Sequence, residues 1–263
     1  MSQRPCVLVF AGHDPSGGAG LAADIQAIAA QGAHALPVVT ALTVQDNNRV
    51  QAVHPVAADV VLAQAHTLLA SCTVKVIKFG IIGSADNALA IAGLIEQMLM
   101  NNPDVQVVLD PVLGSGRGQA LSLDDACFAL LPLLRLATLI TPNLPEAARL
   151  APDSHSVDQQ ARSLLRGRCR DVLLKGGHSE EAPVINRWFQ TGRDAVIESR
   201  WQRYPGEFHG RGCTLASAIA GQLAMEVPMD AALQSAQSYT QACLRQAFAI
   251  APGQLIPQRN VSE

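Results

Sequence analysis

Short apolar runs alternate along the chain with longer Ala- and Leu-rich stretches of helical period. The runs at 7–11, 35–41, 76–82, 106–109, 138–141 and 171–175 predict strands. Between and after them, 21–31, 60–70, 88–100, 124–134, 146–150 and 158–166 predict helices. Segments 184–189 and 195–199, around Thr191-Gly192-Arg193, predict a hairpin, and 214–225 and 229–249 predict two closing helices. Strands apolar on both faces are buried on both, so the pattern predicts an α/β fold: a mostly parallel sheet between two helical layers. No Pro/Ser-rich linker and no internal repeat divides the 263 residues, which predicts a single domain. In such sheets ligands bind beyond the carboxyl ends of the strands, so the chemistry is expected in the segments that follow strands.

Composition narrows the function. Hydrophobic residues make up 49% and charged residues 16%, enough for a large core and too apolar for disorder. The net charge of −3, with no Lys/Arg run, leaves out a nucleic-acid or anionic-membrane footprint. The apolar run 7–11 is too short for a signal-peptide core, and no stretch is long enough to span a bilayer. Six scattered cysteines show no zinc or Cys-x-x-Cys spacing, and five of them read as reduced thiols of a cytoplasmic protein.

The segments after the strands carry the candidate chemistry. Gly12-His13-Asp14-Pro15-Ser16-Gly17-Gly18-Ala19-Gly20 follows the first strand and lets backbone approach a ligand closely, yet it is neither a dinucleotide fingerprint nor a Walker A loop. Gly210-Arg211-Gly212-Cys213-Thr214 opens an apolar helix, where free N–H groups and the helix dipole favour a phosphate and are expected to lower the pKa of the Cys213 thiol. Thr141-Pro142-Asn143-Leu144-Pro145-Glu146 sets Asn143 and Glu146 to face one point, as oxygen ligands of Mg²⁺ would, although the same residues also cap a helix. Two more strand ends contribute Asp110 and Lys175.

Taken in order, these motifs, with Thr40-Ala41-Leu42-Thr43-Val44-Gln45, resemble the hydroxymethylpyrimidine phosphate kinases from about residue 7 to residue 223. The resemblance implies a ribokinase-like α/β/α fold without a separate lid domain, usually a homodimer, phosphorylating a small pyrimidine with ATP and Mg²⁺. It implies that Asp24 and Gln45 hold the aminopyrimidine, with Gly12, Ala19, Ile81 and Val108 lining its pocket. Cys213 then stands in the catalytic position of an anion loop formed with Gly210 and Gly212, and Lys175 meets the nucleotide phosphates. Asp110, Asn143 and Glu146 organise Mg²⁺ and water. Arg211 departs from the family, where a small residue is usual; its side chain either swings into solvent or folds over the phosphates. A pyridoxal or pyridoxine kinase and a non-catalytic pyrimidine-binding module are the rival readings.

Overall fold

In a computed structural model, which describes residues 3–114, 125–179 and 182–261, the strand–helix alternation becomes one nine-stranded sheet. The first half comprises β1 (Cys6–His13), α1 (Gly20–Ala30), β2 (His34–Gln45), β3 (Val50–Pro55), α2 (Ala58–Leu69), β4 (Val74–Phe79), α3 (Ala85–Asn101) and β5 (Gln106–Leu109). The second comprises α4 (Ala126–Leu134), β6 (Leu139–Ile140), α5 (Leu144–Leu150), α6 (Val157–Ser163), β7 (Asp171–Leu174), β8 (Val184–Gln190), β9 (Arg193–Trp201), α7 (Arg211–Ala224) and α8 (Met229–Arg245). A single 3₁₀ turn, Gly176–His178, follows β7.

The strands lie in the order β3-β2-β1-β4-β5-β6-β7-β8-β9. The six from β2 to β7 in that order are parallel, and β3, β8 and β9 add antiparallel edges. Alternate residues of the central strands serve the two layers. Leu8, Phe10, Ile77 and Phe79 pack on one face against α2, α3 and α4, while Val7, Val9, Val76 and Val108 pack on the other against α1, α7 and α8. The chain leaves β1 to one side for β2 and returns to the other side at β4. The loops after β1 and β4 therefore diverge and open a crevice at the carboxyl edge.

Several boundaries differ from the sequence reading. β2 runs on to Gln45, and its last residues pair with β3, a strand the apolar pattern did not reveal because Val50-Gln51-Ala52-Val53-His54-Pro55 is interrupted by Gln51 and His54, buries no residue fully and lies at the sheet edge. α4 starts at Ala126, with the Asp125 carboxylate accepting from the Cys127 N–H at 2.9 Å; Asp124 lies outside the described residues. α8 stops at Arg245 rather than 249, and the tail turns back through a Phe248–Ile256 bridge.

Candidate active site

The carboxyl edge of the sheet opens into a cavity of about 780 Å³. Gly12, Ala19, Gln45 and Ile81 line one side, Gly210, Arg211, Gly212 and Cys213 another, and Asp110, Asn143, Glu146 and Lys175 a third. Segments far apart in the chain thus converge, as their places after strands predicted. Asp24 and Val108 are absent from the wall.

The loop after β1 is held by Asp14. Its carboxylate accepts from the Ser16 N–H (2.8 Å), the Ser16 hydroxyl (3.0 Å) and the Ala19 N–H (2.8 Å), and lies 2.7 Å from His209 Nε2. Burial alone would push this carboxyl up, yet His209 and Ser16 together hold it below its ordinary value. Gly18 packs against the His209 ring, so a side chain there has no room. The first glycine loop and the Gly210 loop are therefore in contact before any ligand enters.

Asp24 requires a correction. It is fully buried, as is Lys78, and Lys78 Nζ donates to both Asp24 carboxylate oxygens, at 2.8 and 2.9 Å. Ser217 adds a 2.6 Å hydrogen bond to the same carboxylate. The pair ties β4 to α1 and α7 beneath the cavity floor, so Asp24 anchors Lys78 rather than facing a ligand. Val108 is likewise fully buried, in the core between β5 and the α1–α7 layer. The family resemblance put both at the pocket; depth was the coordinate it lacked.

On the third side, Lys175 Nζ donates to Asp110 Oδ1 at 2.7 Å, and Thr141 supports the same oxygen at 3.3 Å. Asn143 and Glu146 form a capping box on α5: the Glu146 N–H donates to Asn143 Oδ1 (2.9 Å) and the Asn143 N–H to Glu146 Oε2 (2.8 Å). The Asn143 oxygen, expected to organise a metal, is thus engaged in the cap. Burial, then the nearby Asp110 charge, pushes the Glu146 carboxyl up to about 7, with Lys175 opposing. A raised carboxyl pKa means folding favours the protonated form. Its stabilisation is complete below the unfolded value near 4.5 and is lost as pH rises through about 7. Glu146→Gln keeps the cap and carries no charge. The metal-free variant should melt a few degrees above the parent at pH 8 and beside it at pH 4; a lower melting point at pH 8 would contradict the shift.

The loop before α7 ends at Gly210, in the left-handed region at φ 77°, where an added methyl would run into the Gly18 carbonyl, a place only glycine fills. Gly212 faces the cation: a methyl added there would stand 3.2 Å from Lys175 Nζ and 3.6 Å from Asp110 Oδ2. Arg211 folds inward over the turn after β7, where a methyl added to Gly177 would lie 2.7 Å from its guanidinium carbon. Burial, then Arg203, lowers the Arg211 pKa, while burial, Arg211 and Lys175 together keep His178 below its ordinary value.

The Cys213 thiol reverses its expectation. Burial pushes it up to about 11; Lys78 and the Gly20 N–H act against this, and Asp24 and Asp110 add to it. The helix terminus does not outweigh desolvation and two carboxylates, so Cys213 is a thiol at neutral pH. Alkylation of the Cys213 peptide by iodoacetamide should climb about tenfold per pH unit from 7 to 10, since only the thiolate reacts. A plateau below pH 9 would restore a lowered pKa.

Lys78, Asp14 and His209 join the cavity wall without having been assigned roles by the motifs, and Arg259 packs beneath it on Thr214 and Gly18. Asp14 stands within the first glycine motif, and a lone lysine inside the apolar run Val76-Ile77-Lys78-Phe79 is a further advance signal.

No described helix is long and apolar enough to cross a membrane. Comparison with known proteins agrees with this geometry. The chain is 35% identical over 253 residues to the hydroxymethylpyrimidine/phosphomethylpyrimidine kinase of Rhizobium meliloti, covering 94% of this chain and 93% of that protein. It is 34% identical over 257 residues to the Escherichia coli kinase of the same description, covering 95% of each. It also matches the multifunctional thiamine biosynthesis protein ThiED of Corynebacterium efficiens, of whose length it spans 34%. Among solved structures, phosphomethylpyrimidine kinase from Clostridium difficile superposes with a TM-score of 0.76 at 28% identity, covering 92% of this chain and all of that one. Pyridoxal kinase from Staphylococcus aureus superposes at 0.85 with 22% identity, covering 98% and 94%, a likeness of fold. The phosphomethylpyrimidine kinase family model spans residues 14–257, from the carboxylate that organises the first glycine loop to the tail beneath the second, and the chain belongs to that family of phosphotransferases.

Proposed function

We propose that the cavity transfers the γ-phosphoryl group of ATP to the hydroxymethyl oxygen of 4-amino-5-hydroxymethyl-2-methylpyrimidine, and then to the resulting monophosphate, in thiamine biosynthesis. One observation supports this most: the Lys175 ammonium stands directly against the Gly212 backbone at the α7 N-terminus. A phosphoryl oxygen brought to that point meets the cation and the helix N–H groups together. The acceptor oxygen forms its bond to phosphorus as the bond to the β,γ-bridging oxygen breaks; ADP leaves with that electron pair, and the hydroxyl proton passes to an oxygen of the transferred phosphoryl group.

Gln45 suits the acceptor, because its carboxamide offers one donor and one acceptor to the adjacent ring nitrogen and exocyclic amine. Ile81 supplies an apolar wall, and Gly12 and Ala19 let backbone approach the ring. Cys213 orients the acceptor hydroxyl as a thiol. In a loose transition state the nucleophile needs little activation, so a strong base is unnecessary. Arg211 adds charge beside the phosphates.

The two carboxylates fit magnesium, a hard cation that takes one or two carboxylates and keeps several waters. Burial, then the Asp110 charge, raises Glu146, and a divalent ion between the two carboxylates would oppose both. Asp110 and Glu146 would hold it, and it would neutralise charge on the β- and γ-phosphates. Among the described residues no larger cluster of His, Cys, Asp and Glu could hold a metal.

A coupled ADP-release assay on the alcohol, its monophosphate and pyridoxal tests the reading, with turnover expected on the first two. Turnover on pyridoxal alone would make the chain a pyridoxal kinase. A melting shift with the pyrimidine but no ADP release would make it a binding module. The reading carries with it a cytoplasmic homodimer, for which sedimentation of the purified chain tests the assembly.

A further inference from the structure

We infer that Arg259 is a positioning residue that locks the glycine loop at 14–20 to the anion loop at 206–214, holding acceptor and phosphoryl donor in register. Its functional part rests on the reading above. Arg259 lies in the tail beyond α8, past residue 257 where the family match ends, and is only 1% exposed. Its Nε donates to Thr214 Oγ1 at 2.9 Å and its Nη2 to the Gly18 carbonyl. The same fork passes under Gly210, where an added methyl would stand 2.9 Å from Nη2. The tail that delivers it is fixed on α8: the Tyr239 hydroxyl donates to the Arg259 carbonyl at 2.8 Å and the Gln258 N–H to the Cys243 carbonyl at 3.1 Å.

The arrangement is a poor choice for stability alone. Among the described residues no carboxylate pairs with Arg259, and its buried Nη1 has no acceptor. A buried cation with an unmet N–H is costly, and an apolar side chain of similar length would fill the space with less penalty. What an apolar residue cannot do is span both loops. The planar fork reaches the two at fixed spacing, which the single ammonium of a lysine cannot. The Asp14–His209 contact joins the same loops at the cavity lip, so they are coupled above and below.

Acceptor and nucleotide each touch mainly their own loop, so loosening the lock should spare each binary affinity and damage the alignment of oxygen with phosphorus. Displacement by about 1 Å costs on the order of 10²-fold in rate. The full-length Arg259→Lys and Arg259→Met variants should lose kcat on the order of 10²-fold while the pyrimidine alone and a non-hydrolysable ATP analogue alone bind within about threefold of the parent. Backbone amide exchange should rise together in 14–20 and 206–214 and stay unchanged in β4 and β5. A kcat near that of the parent, faster exchange in one loop only, or both affinities falling in step with the melting temperature would overturn the inference. If the parent itself turns over no acceptor, the kinase reading fails while the exchange measurement still decides whether Arg259 couples the loops.

Discussion

Lys175→Met is expected to lower kcat by about 10³-fold, the low end of what a cation on a transferring phosphoryl group supplies. That corresponds to about 4 kcal/mol of lost transition-state stabilisation. Lys175 Nζ is nearly enclosed, with its side chain 13% exposed, so its charge acts where water screens it little. Burial alone would lower its pKa, but Asp110 and Glu146 raise it above the ordinary lysine value, so it stays charged throughout the working pH range. Methionine keeps the length of the stem and removes only the charge. Its loss also leaves Asp110 without its cation, so the melting temperature must be measured beside the rate. A folded variant with turnover within a few-fold of the parent would remove Lys175 from the phosphates and leave it as the partner of Asp110. The Arg211 guanidinium lies over Gly177 at the turn after β7.

How much of this was legible beforehand depended on whether a feature was local. Fully apolar strands announced a parallel sheet, and loops following β1, β5, β6 and β7 announced the cavity, because both rules act within a few residues. The spacing of Asn143 and Glu146 was visible too, though it served the helix cap first. β3 was hidden because an edge strand with one solvated face loses the apolar pattern, and Pro55 at its end adds a breaker signal. Depth was not legible. A helix N-terminus argues for a thiolate at Cys213, but the outcome turns first on burial, with Asp24 and Asp110 adding to it, and all three arise only through the fold. Arg259 shows no signal at all: nothing in Pro257-Gln258-Arg259-Asn260 reveals that the tail passes beneath both glycine loops.

Asp24→Ala should test depth most sharply, with a predicted loss of about 3–5 kcal/mol of stability, the usual cost of breaking a buried ion pair from one side. For a chain of this size that is a fall in melting temperature on the order of 10 °C. The cause is the stranded partner: Lys78 is fully buried and both its hydrogen bonds to side chains go to Asp24. Replacing the pair together separates this from a general packing defect. Lys78→Met with Asp24→Leu fills the same space without charge and should recover most of the loss, since well-packed apolar residues often match a buried ion pair. Ser217 would then lose its acceptor, but a helical serine can turn its hydroxyl to the carbonyl one turn back, here that of Cys213. The competing assignment, in which Asp24 grips the aminopyrimidine, predicts the reverse: a nearly unchanged melting temperature and an acceptor affinity weakened by about 1–3 kcal/mol. Melting the single and double variants, and titrating the acceptor into the folded single variant, distinguishes the two. An unfolding loss that the double variant repairs places the carboxylate in the framework under Cys213, whereas an affinity loss in a stable protein returns it to the ligand.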